Sequence, residues 1–178
     1  MKKLILGLMI TLYGISVNAS DTFTVDGIKY ETISLSEVKI VGWTDAIPSI
    51  VNVGTIKWNG EIYFVRAIGQ YGFYGCKNMS IILPECITVE SGAFQECENS
   101  TVYLQISSDI KKDAFVGSKL KYIIVSSQMK SQIMSNPGYY GLRNTDNNVR
   151  CLLYEYDIQY MQYGIFLKDH NNNNVDEN

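Results

Sequence analysis

Between residues 67 and 126 the apolar positions return every 21 residues, a spacing far longer than the period of two for a strand or 3.6 for a helix. Ile68-Gly69-Gln70-Tyr71-Gly72-Phe73-Tyr74-Gly75-Cys76 is matched by Val89-Glu90-Ser91-Gly92-Ala93-Phe94-Gln95-Glu96-Cys97. A third copy follows as Ile110-Lys111-Lys112-Asp113-Ala114-Phe115-Val116-Gly117-Ser118. The β-rich runs that come next, Ile81-Ile82-Leu83, Val102-Tyr103-Leu104 and Ile123-Ile124-Val125, align at the same offset without a gap. A fixed period of this length signals stacked repeats. One copy is too small to bury its own apolar face, so Phe73, Phe94 and Phe115 are expected to pile up in a shared core.

Alternate residues of a strand share a face, which places Ile81 and Leu83, Val102 and Leu104, and Ile123 and Val125 inward. Ser80 and Ile82, Thr101 and Tyr103, and Tyr122 and Ile124 then point outward. Ile82, Tyr103 and Ile124 take equivalent outward positions with Tyr122 beside them, so these four residues form the candidate partner-binding patch. Adjacent exposed apolar and aromatic groups make a contact surface, and tyrosine suits one because its large ring has few rotatable bonds. An alternative stays open: the C-terminal segment, rich in Tyr154, Tyr156, Tyr160 and Tyr163, folds back over this face and makes it interior.

The flanks read differently. Asp26-Gly27 and Asn59-Gly60 each sit between short β-rich runs and predict two-residue hairpins. Residues 20–66 therefore read as a β-rich cap, with Ile47-Pro48 as a degenerate rung and residues 49–66 as a hairpin insertion. After the repeats, Ser127 to Ser135 carries Met129, Ile133 and Met134 at helical spacing and stops at Asn136-Pro137-Gly138, which predicts a short closing helix. Cys151 to Tyr154 and Tyr160 to Leu167 read as strands or an extended return, so residues 127–168 form a C-terminal cap. The polar run over residues 169–178 has too little apolar surface to order itself.

At the other end, Lys2-Lys3, an apolar run from Leu4 to Val17 and the small-residue site before Ser20 have the three parts of a secretory signal. Cleavage after Ala19 is expected, since the run is shorter than the roughly 20 residues a membrane-spanning helix needs. Cys76, Cys86, Cys97 and Cys151 would then meet an oxidising compartment, where three pairings are open. The equivalent positions of Cys76 and Cys97 favour small buried thiols, because in-register neighbours stand farther apart than a disulfide's Cβ spacing of about 3.8 Å. A Cys76–Cys97 bond is the alternative.

The string from Ala67 to Pro84 resembles the BspA-like leucine-rich repeat, whose pattern runs I-G-x-x-A-F-x-x-C-x-x-L-x-x-I-x-L-P. Val89 to Leu104 is similar to a second copy, while the third departs with Ser118 for the cysteine and Ser126 for the proline. Phe23 to Tyr30, Ile47-Pro48 and Gly60 to Val65 look like the β-rich entrance of that family. The resemblance covers about residues 21 to 135. It implies a right-handed solenoid and an extracellular, often bacterial surface setting. The family includes adhesion proteins that bind host matrix components, it is functionally diverse, and it brings no catalytic residues. The fold expected is thus a β-rich α/β solenoid, a stack of about three 21-residue rungs over residues 67–126 with a β-hairpin N-terminal cap and a short C-terminal helix.

Composition narrows the function. The 178 residues hold 15 basic and 18 acidic side chains, a net charge of -3, which leaves no broad basic surface for nucleic acid or anionic lipid. No GxSxG, HExxH, P-loop or dinucleotide glycine pattern occurs. The single histidine, His170, lies beside an asparagine tract where a general base has nothing to hold it. Glu85, Glu90, Glu96 and Glu98 invite a paired-carboxylate reading, but they fall on loop positions of successive rungs and read as a solvated edge. No enzyme activity, cofactor or metal is expected. The function expected is a secreted or cell-surface, adhesin-like binding module for an extracellular protein or glycan. The alternative is a structural or assembly subunit that packs its outward face against a like chain or a surface complex.

Overall fold

A computed structural model of the chain describes residues 21–105, 107–142 and 149–151. Twelve strands are described: β1 (Thr22–Val25), β2 (Ile28–Thr32), β3 (Glu37–Trp43), β4 (Ile50–Asn52), β5 (Thr55–Trp58), β6 (Glu61–Ile68), β7 (Ser80–Ile82), β8 (Thr88–Val89), β9 (Thr101–Tyr103), β10 (Asp109–Ile110), β11 (Tyr122–Val125) and β12 (Val149–Cys151). One helix, α1 (Ser127–Ser135), follows β11.

The sequence offset of 21 becomes the pairing register. In one sheet Ala67 of β6 lies beside Thr88 of β8, which lies beside Asp109 of β10, all parallel. In the other, Ser80 of β7 lies beside Thr101 of β9, which lies beside Tyr122 of β11. Each copy thus contributes one short strand to each sheet. The turns between them are stitched by the same rule: Phe73 N–H donates to Ala93 O and Phe94 N–H to Ala114 O, both over 2.9 Å. Turn backbone that would otherwise need water is satisfied by the next copy.

Inside, Phe73, Phe94 and Phe115 are fully buried and stacked, with centroids 5.5 and 5.4 Å apart and planes within 5° and 13°. The inward residues Ile81, Leu83, Val102, Leu104, Ile123 and Val125 are buried as the alternation requires. Ala93 and Ala114 share an equivalent site, and the first copy has Gly72 there instead. A Cβ on Gly72 would stand 2.9 Å from Ile40 O, on β3, and 2.8 Å from the Ile68 side chain.

Both hairpins form at the expected dipeptides. Val25 pairs Ile28 around Asp26-Gly27, and Trp58 pairs Glu61 around Asn59-Gly60. All four turn residues have positive φ, the twist that a two-residue hairpin needs. The two hairpins meet through Phe23, which stacks on Trp58 at 4.1 Å and lies 5.7 Å from Tyr30 and 5.6 Å from Tyr63. Burial pushes the Tyr30 hydroxyl well above the usual tyrosine range, with the Asp26 charge adding to the effect. The region is also more repeat-like than its sequence suggests. β3 pairs parallel with β6, and β4 pairs parallel with β7, so residues 37–52 supply a strand to each sheet. The hairpin insertion read over residues 49–66 accordingly starts at Thr55, since Ile50–Asn52 is a ladder strand.

At the other end α1 has the bounds its pattern predicts. The Ser126 side chain caps it by accepting from Met129 N–H, and Met129 and Ile133 are buried while Met134 is exposed. Pro137 opens a short 3₁₀ turn, Pro137–Tyr140. That turn joins the ladder: Asp113 N–H donates to Tyr139 O and Phe115 N–H to Tyr140 O. Val149 of β12 pairs parallel with Ile123. Turn and strand keep one common offset from the third copy, so the chain repeats its path once more with α1 inserted. The leader, the strands read beyond Cys151, the C-terminal tyrosines, His170 and the tail lie outside the described residues. Among the described residues, no helix is long and apolar enough to cross a membrane.

Candidate binding surfaces

The patch read from the outward alternation comes together only in part. Ile82 pairs Tyr103 and Tyr103 pairs Ile124 across adjacent strands, so the four residues are neighbours as expected. Their exposure is not as expected. Ile82 and Ile124 keep only 4% and 5% of their surface, and Tyr103 and Tyr122 are half-buried. Tyr103 stands between the two isoleucines in the ladder. Ile82 and Ile124 are therefore not free anchors. Lys121 Nζ lies 5.6 Å from the centre of the Tyr122 ring. Whether the C-terminal segment covers this face concerns residues outside those described.

The cysteine column is interior. Cys76 and Cys97 are fully buried free thiols. Cys97 Sγ donates to Phe73 O at 2.9 Å, and Cys76 Sγ lies 3.7 Å from Ser100 Oγ. Burial pushes the Cys97 thiol far above its usual range, and its hydrogen bond with Cys76 adds to this. Where the third copy has Ser118, the hydroxyl donates to Phe115 O at 2.7 Å, so the exchange leaves no polar atom unsatisfied. Cys86 is exposed.

Two of the four carboxylates, Glu98 and Glu90, are engaged separately. Glu98 pairs with Lys77 at 2.9 Å, and its backbone bridges those of Lys77 and Lys119 in the copies on either side. Its carboxyl is held below the usual range by the hydrogen bond and charge of Lys77. Glu90 accepts the Gln70 N–H at 2.9 Å. Among the described residues, no three His, Cys, Asp or Glu side chains gather into a metal-binding group.

A second surface was missed in the sequence. Tyr71 and Tyr74 are 48% and 50% exposed on the first-copy turn, with rings edge to face at 5.9 Å. Trp43 Nε1 donates to Tyr74 O at 3.1 Å, bringing its indole to the same end. Gly92 and Gln95, then Asp113 and Val116, continue the line in the next two copies, and Tyr139 of the 3₁₀ turn ends it, 43% exposed. The line is fixed by backbone: Gly92 N–H donates to Asp113 O, and Asp113 N–H to Tyr139 O. The signal was present in the Tyr71-Gly72-Phe73-Tyr74 string, but attention to the shared Phe column hides the two residues that flank it.

A model of the BspA-type leucine-rich-repeat region matches residues 55–168 in six copies. The chain belongs to the BspA-type leucine-rich-repeat family. The match runs beyond the three copies visible by eye at both ends; β12 falls within it, whereas β4 precedes its start. No curated protein and no solved structure matches the chain. Membership brings a strand-rich repeat architecture and the general role of a repeat-based, surface-type binding module.

Proposed function

We propose that this BspA-type protein is an exported, non-catalytic, adhesin-like module that recognises an extracellular protein or glycan. Its repeats wind as a right-handed solenoid from the N-terminal hairpins to α1 and β12. Handedness rests on the rule that parallel strands joined across a sheet connect with a right-handed crossover. The observation that carries the reading is the common register of both sheets, which sets equivalent side chains in columns along the molecule. A rigid array of this kind presents an extended surface with little entropy to lose on binding. Export rests on the three-part leader at residues 1–19.

The test is binding of the purified chain to immobilised extracellular-matrix proteins and glycans, beside a Tyr103→Ala/Tyr122→Ala variant whose fold is checked by circular dichroism. Saturable binding of the parent supports the module, and loss in the variant locates it on the second sheet. A folded parent that binds nothing on the panel, and instead self-associates with concentration, overturns the reading in favour of an assembly subunit.

A further inference from the structure

The geometry points to the turn ridge from Tyr71 and Tyr74 to Tyr139 as a binding surface for an extended, neutral glycan. This rests on the reading of the chain as a surface binding module and adds a place and a ligand class to it. The ridge lies apart from the Tyr103 and Tyr122 face.

The first argument is conformational. Tyr71 has φ 62°, and the equivalent residues of the next two copies, Gly92 and Asp113, have φ 68° and 58°. Glycine enters that left-handed region freely and aspartate tolerates it, but a bulky side chain there is an outlier that destabilises the chain. A fold chosen for stability alone would place glycine or asparagine at residue 71. The strained conformation holds a half-exposed ring in place, and strained residues concentrate at ligand-binding sites.

The second argument is the floor beside that ring. A Cβ on Gly92 would stand 3.1 Å from Tyr71 Cε1, so the bare backbone of the second copy lets the ring lie against it. Along the line, successive copies advance by about 4.8 Å, the spacing of neighbouring strands, so the stretch from Tyr71 to Tyr139 has room for a short run of linked pyranose rings. Aromatic rings stand at both ends, and the half-buried planar side chains of Gln95 and Asp113 lie between them. A sugar has this same mix, with C–H faces that stack on aromatic rings and hydroxyls that seek planar polar groups.

Charge and area favour a neutral glycan. The chain is net negative, and along the line Asp113 pairs with Lys112 at 3.9 Å and Asp109 with Lys111 at 2.6 Å, so the ridge has no surplus positive charge to hold sulfated or phosphorylated ligands. A protein partner wants a continuous desolvated centre ringed by neutral contacts, and here the apolar groups are split by polar ones.

The experiment titrates the full purified chain with cellohexaose and chitohexaose, read by calorimetry and tryptophan fluorescence. The parent should bind at least one of them. Trp43 is hydrogen-bonded to Tyr74 O at one end of the ridge whereas Trp58 is stacked in the hairpin cluster, so the fluorescence change should vanish in Trp43→Phe. Tyr71→Gly keeps the left-handed backbone while removing the ring; it should fold at least as stably as the parent and bind about tenfold more weakly or not at all. Leu35→Ser, at an exposed residue between β2 and β3, should bind as the parent does. Glycan binding unaffected by Tyr71→Gly overturns the assignment. Matrix proteins bound in the absence of any glycan binding overturn the ligand class and leave the module reading standing, and silence toward both sinks the two together.

Discussion

The Asn99 side-chain amide donates to the Asn78 carbonyl oxygen over 2.6 Å, and the two residues, 21 apart, both adopt left-handed backbone with φ 48° and 55°. One column thus joins a turn to its successor through side chains while each backbone bends where only a few residue types are comfortable. Asparagine suits both tasks, since it tolerates positive φ and carries a donor and an acceptor. Asn99→Ala should cost about 1–2 kcal/mol, combining a strained backbone with the lost hydrogen bond. Asn99→Gly should cost well under half of that, because it keeps the conformation. Urea denaturation of the two variants decides it: equal losses would assign the whole effect to the hydrogen bond.

Phe94 lies between Phe73 and Phe115, with a ring stacked on each face. Replacing it with alanine opens a cavity between two rigid rings that cannot close over it, and should cost about 3–5 kcal/mol. A fall in the chemical denaturation midpoint with an unchanged slope would report this. A loss below about 1 kcal/mol would mean the column is not packed as described.

The repeat, the inward strand positions, both hairpins and the closing helix were legible because each is written in local sequence. Period gives register, dipeptides give turns, and apolar spacing with Pro137 gives α1. Three features were not legible. The strands at Ile50–Asn52 and Val149–Cys151 sit at offsets other than 21, because a hairpin intervenes at one end and α1 at the other; spacing alone therefore hid them. The low exposure of Ile82 and Ile124 was hidden for a different reason. Strand alternation says which way a side chain points, but it does not say whether water is found there. The Tyr71 and Tyr74 ridge lies on turns, where no period of two or 3.6 assigns a face.

Cys97 links burial to pH. Its folded-state pKa is raised, so the folded protein keeps the thiol proton at pH values where the unfolded chain loses it. The stabilisation is complete below the unfolded value and declines once pH rises past about 8.5. Tyr30 acts in the same direction at about pH 10 and above. The parent should therefore lose stability on the alkaline side. Cys97→Ser, which reproduces the hydroxyl that Ser118 donates to Phe115 O, should show a shallower decline that begins later. Thermal unfolding at pH 7, 9 and 10 checks this. In the same samples, iodoacetamide should label exposed Cys86 in the native protein and reach Cys76 and Cys97 only on unfolding.

Gly72 separates the family's pattern from this chain's geometry. Alanine holds the equivalent site at 93 and 114, so an average over the repeats would recommend Gly72→Ala, and removing a glycine ordinarily stabilises by reducing the freedom of the unfolded chain. Here the added methyl would meet Ile40 O at 2.9 Å and the Ile68 side chain at 2.8 Å. The carbonyl belongs to β3, which is paired through Ile40 with Ile68 and accepts the Gly69 N–H at 2.7 Å, so it is held from two sides and cannot move away. Overpacking against fixed backbone costs about 1–3 kcal/mol, which outweighs the entropic gain of about 0.4–1 kcal/mol. Gly72→Ala should therefore lower the midpoint of thermal unfolding, while the reverse exchange, Ala93→Gly, lowers it through lost packing. An unchanged or raised midpoint for Gly72→Ala would show that β3 yields, and that the junction between the N-terminal strands and the first copy is looser than the repeats it adjoins.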